Sequence, residues 1–217
     1  MAVRPPGLDP FSPAYDQWLA EVGKEIVRAS AGNLKRVSLE LGGKSPNIVF
    51  PDADLTRAVP GSAAAIFYNS GECCTAGSRL YVHKDSFDEV VDGIAGYARN
   101  IRIGSPLEPE TEMGPVVSER QLERIEGYLE AGREEGAEAV VGGSRIDGEG
   151  FFVEPTVLVN TSSEMRVVRE EIFGPVLVAQ PFDDLDQIAA VANDSVYGLG
   201  AGIWTQDLAI AHRLARR

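Results

Sequence analysis

The sequence is poor in cysteine and in positive charge, and it lacks any long apolar run. Two adjacent cysteines among 217 residues exclude a disulfide-stabilised scaffold and suit a reducing compartment. Lys and Arg number 20 against 33 Asp and Glu, and the net charge of −13 argues against a nucleic-acid-binding protein. No stretch approaches the roughly 18 to 20 apolar residues that a membrane helix needs. We therefore expect a cytoplasmic protein that binds neither nucleic acid nor membrane.

The sequence does contain enough apolar material for a packed core. Hydrophobic residues make up 44% and aromatic residues 7%, without a low-complexity tract, which indicates a folded chain. Segments of helical periodicity, about ten residues or longer, alternate with short apolar runs, which predicts an α/β fold with a largely parallel sheet flanked by helices. The main predicted strands are 36–41, 47–50, 80–83, 139–141, 152–159, 176–182 and 201–204.

The first 41 residues show three different patterns. Residues 1–20 contain four prolines and no clear periodicity, so we expect a weakly ordered, extended lead-in. From Glu21 apolar residues recur at helical spacing, and Gly32 gives a plausible helix stop. Residues 36–41 alternate between apolar and polar, which predicts a strand with Glu40 opposite its apolar face.

Three segments combine residue types that fit one mechanism. They are LELGGKSP at 39–46, NSGECCTAGSR at 69–79 and EEIFGPV at 170–176. Glu40 precedes Cys74 by 34 positions, and Cys74 precedes Glu171 by 97 positions. In order and spacing these segments resemble the three signature segments of the NAD(P)-dependent aldehyde dehydrogenase superfamily. Three motifs in the right order are much stronger evidence than any one of them.

The resemblance implies a division of the chain into three parts. Residues 1–20 are an unmatched lead-in, and residues 21–41 are a remnant of a cofactor-binding domain. Residues 42–217 are an aldehyde dehydrogenase-like catalytic domain, incomplete at its C-terminal end. Because family members are much longer, we expect a fragment; a homo-oligomer is expected of the full-length family member and is doubtful for this chain.

The chemistry of the second segment centres on a thiol. A cysteine in a glycine-bearing loop can be held near backbone N–H groups that favour the thiolate. Attack on an aldehyde then gives an oxyanion that donors in the loop can stabilise. The resemblance implies that Cys74 is this nucleophile and that Glu40 activates the water that releases the acid. The alternatives are that Cys73 and Cys74 are small buried apolar residues and that Glu40 is an exposed carboxylate.

The resemblance also implies where a nicotinamide cofactor, NAD or NADP, would bind. Glu171 would hold the nicotinamide-side ribose and Phe173 would orient the ring, since carboxylates accept hydroxyl hydrogen bonds and aromatic rings pack on apolar faces. Gly42 and Gly43 would allow close backbone approach to the substrate or nicotinamide, and Gly23 is what remains of a phosphate-facing segment. Most of the cofactor site is expected to be missing. Alternatives are a salt-bridged turn with a core aromatic at 171–173 and a simple strand-ending turn at Gly42.

Three functions remain open from the sequence. The first is NAD(P)-dependent oxidation of an aldehyde, a small-molecule substrate, to a carboxylic acid. The second is ester hydrolysis by the same thiol without redox chemistry, and the third is an inactive fragment with uncovered apolar surface. No metal site is predicted, because His83 and His212 lack ligand spacing with another residue.

Overall fold

Two units, divided between Gly42 and Gly43, make up the computed structural model, which describes residues 7–9 and 12–217. The division lies one residue from the boundary predicted after residue 41. Assignment of the units to a cofactor-domain remnant and a catalytic domain stays a prediction. Within the described residues, no helix is both long enough and apolar enough to cross a membrane.

The first unit contains helix α1, Pro13–Ser30, which begins earlier than the sequence predicts. The expected lead-in over residues 1–20 is therefore wrong for its last eight residues, which are helical; residues 1–6, 10 and 11 lie outside the described residues. Pro13 occupies the first turn, where a proline has no helical hydrogen bond to lose, so it starts the helix instead of preventing it.

The predicted strand at residues 36–41 is not formed. An extended segment becomes a strand only by pairing, and α1 is the one regular element among the described residues of this unit. The alternation has another cause. Leu39 and Leu41 are half-buried against Gly23 of α1, whereas Glu40 between them is exposed. The period-two pattern thus reflects packing of an extended chain on a helix.

The second unit is built on a six-stranded sheet. Its strands are β1 Pro46–Val49, β2 Arg79–His83, β3 Glu138–Val141, β4 Thr156–Val159, β5 Val176–Phe182 and β6 Gly202–Trp204. Their spatial order is β3-β4-β5-β2-β1-β6, and every neighbouring pair is parallel except β3 with β4. This confirms the predicted α/β fold with a largely parallel sheet. Strand β4 is half the predicted length, because the chain pairs with β5 only from Thr156 onward.

Six helices accompany this sheet among the described residues. They are α2 Leu55–Phe67, α3 Phe87–Asn100, α4 Glu119–Glu134, α5 Arg166–Arg169, α6 Leu185–Asn193 and α7 Leu208–Ala215. Four of them begin at a side chain that accepts backbone N–H bonds of the first turn, namely Asp54, Ser118, Asp184 and Asp207. These caps fix where the helices start and hence the lengths of the loops between helix and strand.

Helices cover both faces of the sheet. On one face α2 and α3 enclose a core that includes Leu80, Val82 and Leu177. On the other face, α6 and α7 pack on Ile48 and Tyr81 in one cluster, and α4 packs beside β4 and β5 in another. Strands buried on both faces have the nearly continuous apolar sequences typical of parallel sheets.

Because β1, β2 and β5 are parallel, their amino ends lie on the same side of the sheet. These strands are neighbours in the order β5-β2-β1. Residues 43–45, 73–78 and 171–175 directly precede them. Parts of all three sequence motifs therefore enter the sheet side by side, although 97 residues separate Cys74 from Glu171.

Candidate active site

Gly43 is the point at which the three motifs meet. Its N–H donates to Glu171 Oε1 at 2.9 Å, in a buried hydrogen bond. A Cβ on Gly43 would lie 2.0 Å from the carbonyl oxygen of Cys74, which is far inside van der Waals contact. Only a glycine allows this approach. Because position 43 lacks a side chain, its backbone can contact the cysteine loop and the Glu171 turn at the same time.

A left-handed turn precedes the two cysteines. Asn69, Ser70 and Gly71 have φ values of 52°, 55° and 72° in succession. Residues other than glycine rarely adopt this left-handed conformation. The Asn69 side-chain amide donates to the carbonyl of Glu72 and closes the turn. A Cβ on Gly71 would lie 2.1 Å from the carbonyl oxygen of Gly174, so this turn packs backbone to backbone against the Glu171–Gly174 segment.

The structure separates the environments of the two cysteines. Cys73 packs against the core cluster under α2 and α3, and its Sγ lies 3.3 Å from Thr75 Oγ1. Cys74 is also half-buried, and its carbonyl forms the contact with Gly43. Packing of Cys73 into the core favours a structural role for that residue. The assignment of Cys74 as nucleophile stays a prediction, and this difference supports it.

Side chains from α4 hold the Glu171–Phe173 turn, and the sequence does not predict them. The buried amide of Gln121 donates to the carbonyls of Ile172 and Phe173 at 3.2 and 2.6 Å, and Arg124 donates to the carbonyl of Glu171. Phe173 has a φ of 58°, so these bonds hold a strained backbone. The backbone N–H of Gln121 also donates to the Ser118 hydroxyl that caps α4.

The residues predicted to bind a nicotinamide cofactor fit it only in part. Phe173 is half-buried, and an aromatic ring can pack against an apolar face. Glu171 is only 8% exposed, and its Oε1 already accepts the Gly43 N–H. In this arrangement the carboxylate positions Gly43. Its role as a cofactor ligand stays a prediction.

The remaining predicted site residues lie in the first unit. Glu40 is exposed, and Gly42 is the last residue before the division. Gly23 is buried, and a Cβ there would lie 3.3 Å from a methyl group of Leu39, which gives this glycine a packing role within α1. The roles of Glu40 as base and of Gly42 and Gly23 in cofactor binding stay predictions.

Lys44, next to Gly43, is a buried cation that the sequence analysis overlooks. The residue is 2% exposed, and its Nζ has no hydrogen-bond partner among the described residues. Burial, together with the nearby charge of Arg79, lowers the pKa of Lys44 to about 7, and the charge of Glu171 opposes the shift. Near neutral pH a buried, partly protonated amine thus follows Gly43 in the sequence.

Comparison with known protein families covers nearly the whole chain. A model of the aldehyde dehydrogenase family matches residues 20–217. The chain belongs to the aldehyde dehydrogenase family. The predicted resemblance is therefore confirmed, and it extends over nearly the whole chain.

Relatives of this aldehyde dehydrogenase chain include enzymes and solved structures. Betaine aldehyde dehydrogenase of Bacillus subtilis strain 168 is 43% identical over 201 residues, which are 91% of this chain and 41% of that protein. Phenylacetaldehyde dehydrogenase of Pseudomonas fluorescens is 48% identical over 196 residues, which are 89% of this chain and 39% of that protein. The NAD+ complex of aldehyde dehydrogenase from Bacillus cereus matches with a TM-score of 0.83 and 48% identity, over 90% of this chain and 40% of that one. The chain thus spans about two fifths of their length.

Replacement of Gly43 by alanine should destabilise the aldehyde dehydrogenase chain. The added Cβ would overlap the Cys74 carbonyl, so the cysteine loop or the Glu171 turn must shift, which we expect to cost about 1–3 kcal/mol. Urea denaturation measures the effect. The control is Gly127→Ala on α4, where a Cβ meets no atom within 4 Å; it should be neutral or slightly stabilising. If Gly43→Ala and the wild type were equally stable, the close approach of Gly43 to the Cys74 carbonyl would be contradicted.

Lys44 should make the stability of the chain depend on pH. Between pH 7 and about 10.5 the unfolded chain keeps its proton on Lys44 whereas the folded chain releases it, so stability rises with pH, by at most about 1.4 kcal/mol per pH unit. Below pH 7 both states are protonated and the full cost of burying the charge remains. Lys44→Met should abolish this slope and stabilise the chain at pH 7 by about 2–4 kcal/mol.

Denaturation curves at pH 7, 8 and 9 test this expectation. The matched control is Lys35→Met, because Lys35 is exposed and its loss should leave the slope unchanged. Parallel pH dependence of wild type and Lys44→Met would show that Lys44 is not the group responsible.

Proposed function

We propose that this chain carries the reacting thiol and the base of an enzyme that oxidises an aldehyde to a carboxylic acid with NAD or NADP. The observation that supports it most is the double contact of Gly43, with the Cys74 carbonyl and with the Glu171 carboxylate. It unites residues from three motifs that family membership alone leaves scattered in the sequence. Betaine aldehyde and phenylacetaldehyde, named in two relatives, differ so much that we propose only the substrate class, an aldehyde.

In the proposed reaction Cys74 acts first. Its thiolate sulfur forms a bond to the aldehyde carbon, and the carbonyl electron pair moves to oxygen. The left-handed turn before the cysteines and the contact of Gly43 restrict where this sulfur can lie, which reduces the entropy lost when substrate and thiol are aligned. Cys73, the neighbouring thiol, packs against the core.

NAD or NADP, when bound, would supply the hydride acceptor: hydride would leave the former aldehyde carbon as the oxyanion electron pair re-forms the carbonyl, and an acyl thioester would remain on Cys74. The ring of Phe173 would pack against the nicotinamide, and the Gln121 bond to the Phe173 carbonyl holds the backbone that carries this ring. Glu40 is proposed to take a proton from water, whose oxygen attacks the thioester carbon. The carbon–sulfur bond then breaks, the acid leaves and the Cys74 thiol is restored.

Hydrolysis of a nitrophenyl ester tests the thiol without any cofactor. Acylation of Cys74 and attack by water are the two steps that this assay shares with aldehyde oxidation. Cys74→Ala should lower nitrophenol release at least a hundredfold. Cys73→Ala, the matched control, should keep the rate within about threefold, since it removes a thiol that packs against the core.

Aldehyde-dependent reduction of NAD and NADP by the whole chain is the companion measurement. We expect weak or no turnover of either cofactor, because the chain spans about two fifths of the length of its relatives. Equal ester hydrolysis in the two cysteine variants would refute the assignment of Cys74. Ordinary rates of NAD reduction would instead show that the cofactor site of this chain is complete.

A further inference from the structure

The cysteine loop is attached at two points to a neighbouring segment, residues 113–117. The Ser70 hydroxyl donates to the carbonyl of Gly114 at 3.0 Å. The N–H of Val117 donates to the Glu72 carboxylate, with both oxygens at 3.2 Å. Ser70 and Glu72 flank Gly71, so the two bonds hold the left-handed turn from both sides.

The segment that receives these bonds is itself fixed. The Val116 N–H donates to the carbonyl of Phe151, and the Val116 side chain is 2% exposed. At its other end, Met113 exchanges backbone bonds with residues 102 and 104. A segment anchored on both sides can position a loop that would otherwise relax.

The bond to the Val117 N–H holds the Glu72 side chain, which lies next to the cysteines in the sequence. Glu72 is half-buried, and burial raises the pKa of its carboxyl while the Val117 N–H lowers it. Among the described residues, no charged side chain contributes to that shift. A carboxylate partly withdrawn from water and bonded to one backbone amide acts as a tether, and it lies two positions before Cys74.

We propose that Glu72 is a positioning residue that clamps the cysteine loop onto Val117 and so sets the attack geometry of Cys74. The inference rests on the proposed function of Cys74 and adds a residue that acts through the backbone. Glu72 needs only to accept a hydrogen bond. The side-chain amide of a Glu72→Gln variant should therefore serve as well as the carboxylate.

The variants Glu72→Ala and Glu72→Gln separate the clamp from the charge. In Glu72→Ala we expect hydrogen exchange of the Val117 amide to accelerate at least tenfold, because its acceptor is gone. In a Cys73→Ala background, alkylation of the half-buried Cys74 by iodoacetamide should become about fivefold faster, since the loop opens. Ester hydrolysis should fall about tenfold in kcat with little change in KM. Glu72→Gln should restore all three values to within about twofold of the parent.

Glu135→Ala is the matched control for removal of a carboxylate that accepts a backbone N–H. Glu135 bonds the amide of Arg166 from the far end of α4, and its loss should leave the Cys74 measurements unchanged. The positioning role is wrong if Val117 exchanges faster in Glu72→Ala but both Cys74 rates stay at the parent value. It is also wrong if Glu72→Gln is as impaired as Glu72→Ala. If the parent hydrolyses no ester, the proposed function fails, and exchange and alkylation alone decide the clamp.

Discussion

Backbone approach at Gly43 is the constraint on which the rest of the site depends. The main chain of this residue lies against the Cys74 carbonyl and donates to the Glu171 carboxylate, so three distant parts of the sequence share one small space. The side chains of α4 and the left-handed turn at 69–71 then fix the other sides of that space. Main-chain atoms and the buried Glu171 carboxylate form this junction.

Much of the fold could be predicted from the sequence, because apolar patterns report burial directly. Strands β1, β2, β5 and β6 were found within two residues at either end. The strand predicted at 36–41 is wrong because an alternating pattern indicates that one face of a segment is buried but not which element buries it. In this chain α1 covers Leu39 and Leu41. The start of α1 was missed because proline counts against a helix unless it occupies the first turn.

The site was predicted less completely than the fold. Motif residues such as Cys74 and Glu171 stand out by type and spacing, whereas Gln121 and Lys44 act through backbone contacts or burial that no local pattern reveals. The strand order could not be predicted from the sequence either. This order places the candidate site at the amino ends of β1, β2 and β5, although ligands of open α/β sheets usually bind at the carboxyl ends.

The contact of Gly71 with Gly174 limits how this site could be redesigned. A library that randomises the cysteine loop to change substrate range has to leave position 71 fixed, because the obstacle to a side chain there is a peptide carbonyl that no rotamer can move aside. Tyr68, immediately before the left-handed turn, is 76% exposed and free of that restriction. Diversity placed at position 68 alters an exposed side chain six residues before Cys74 and leaves the Gly71 contact unchanged.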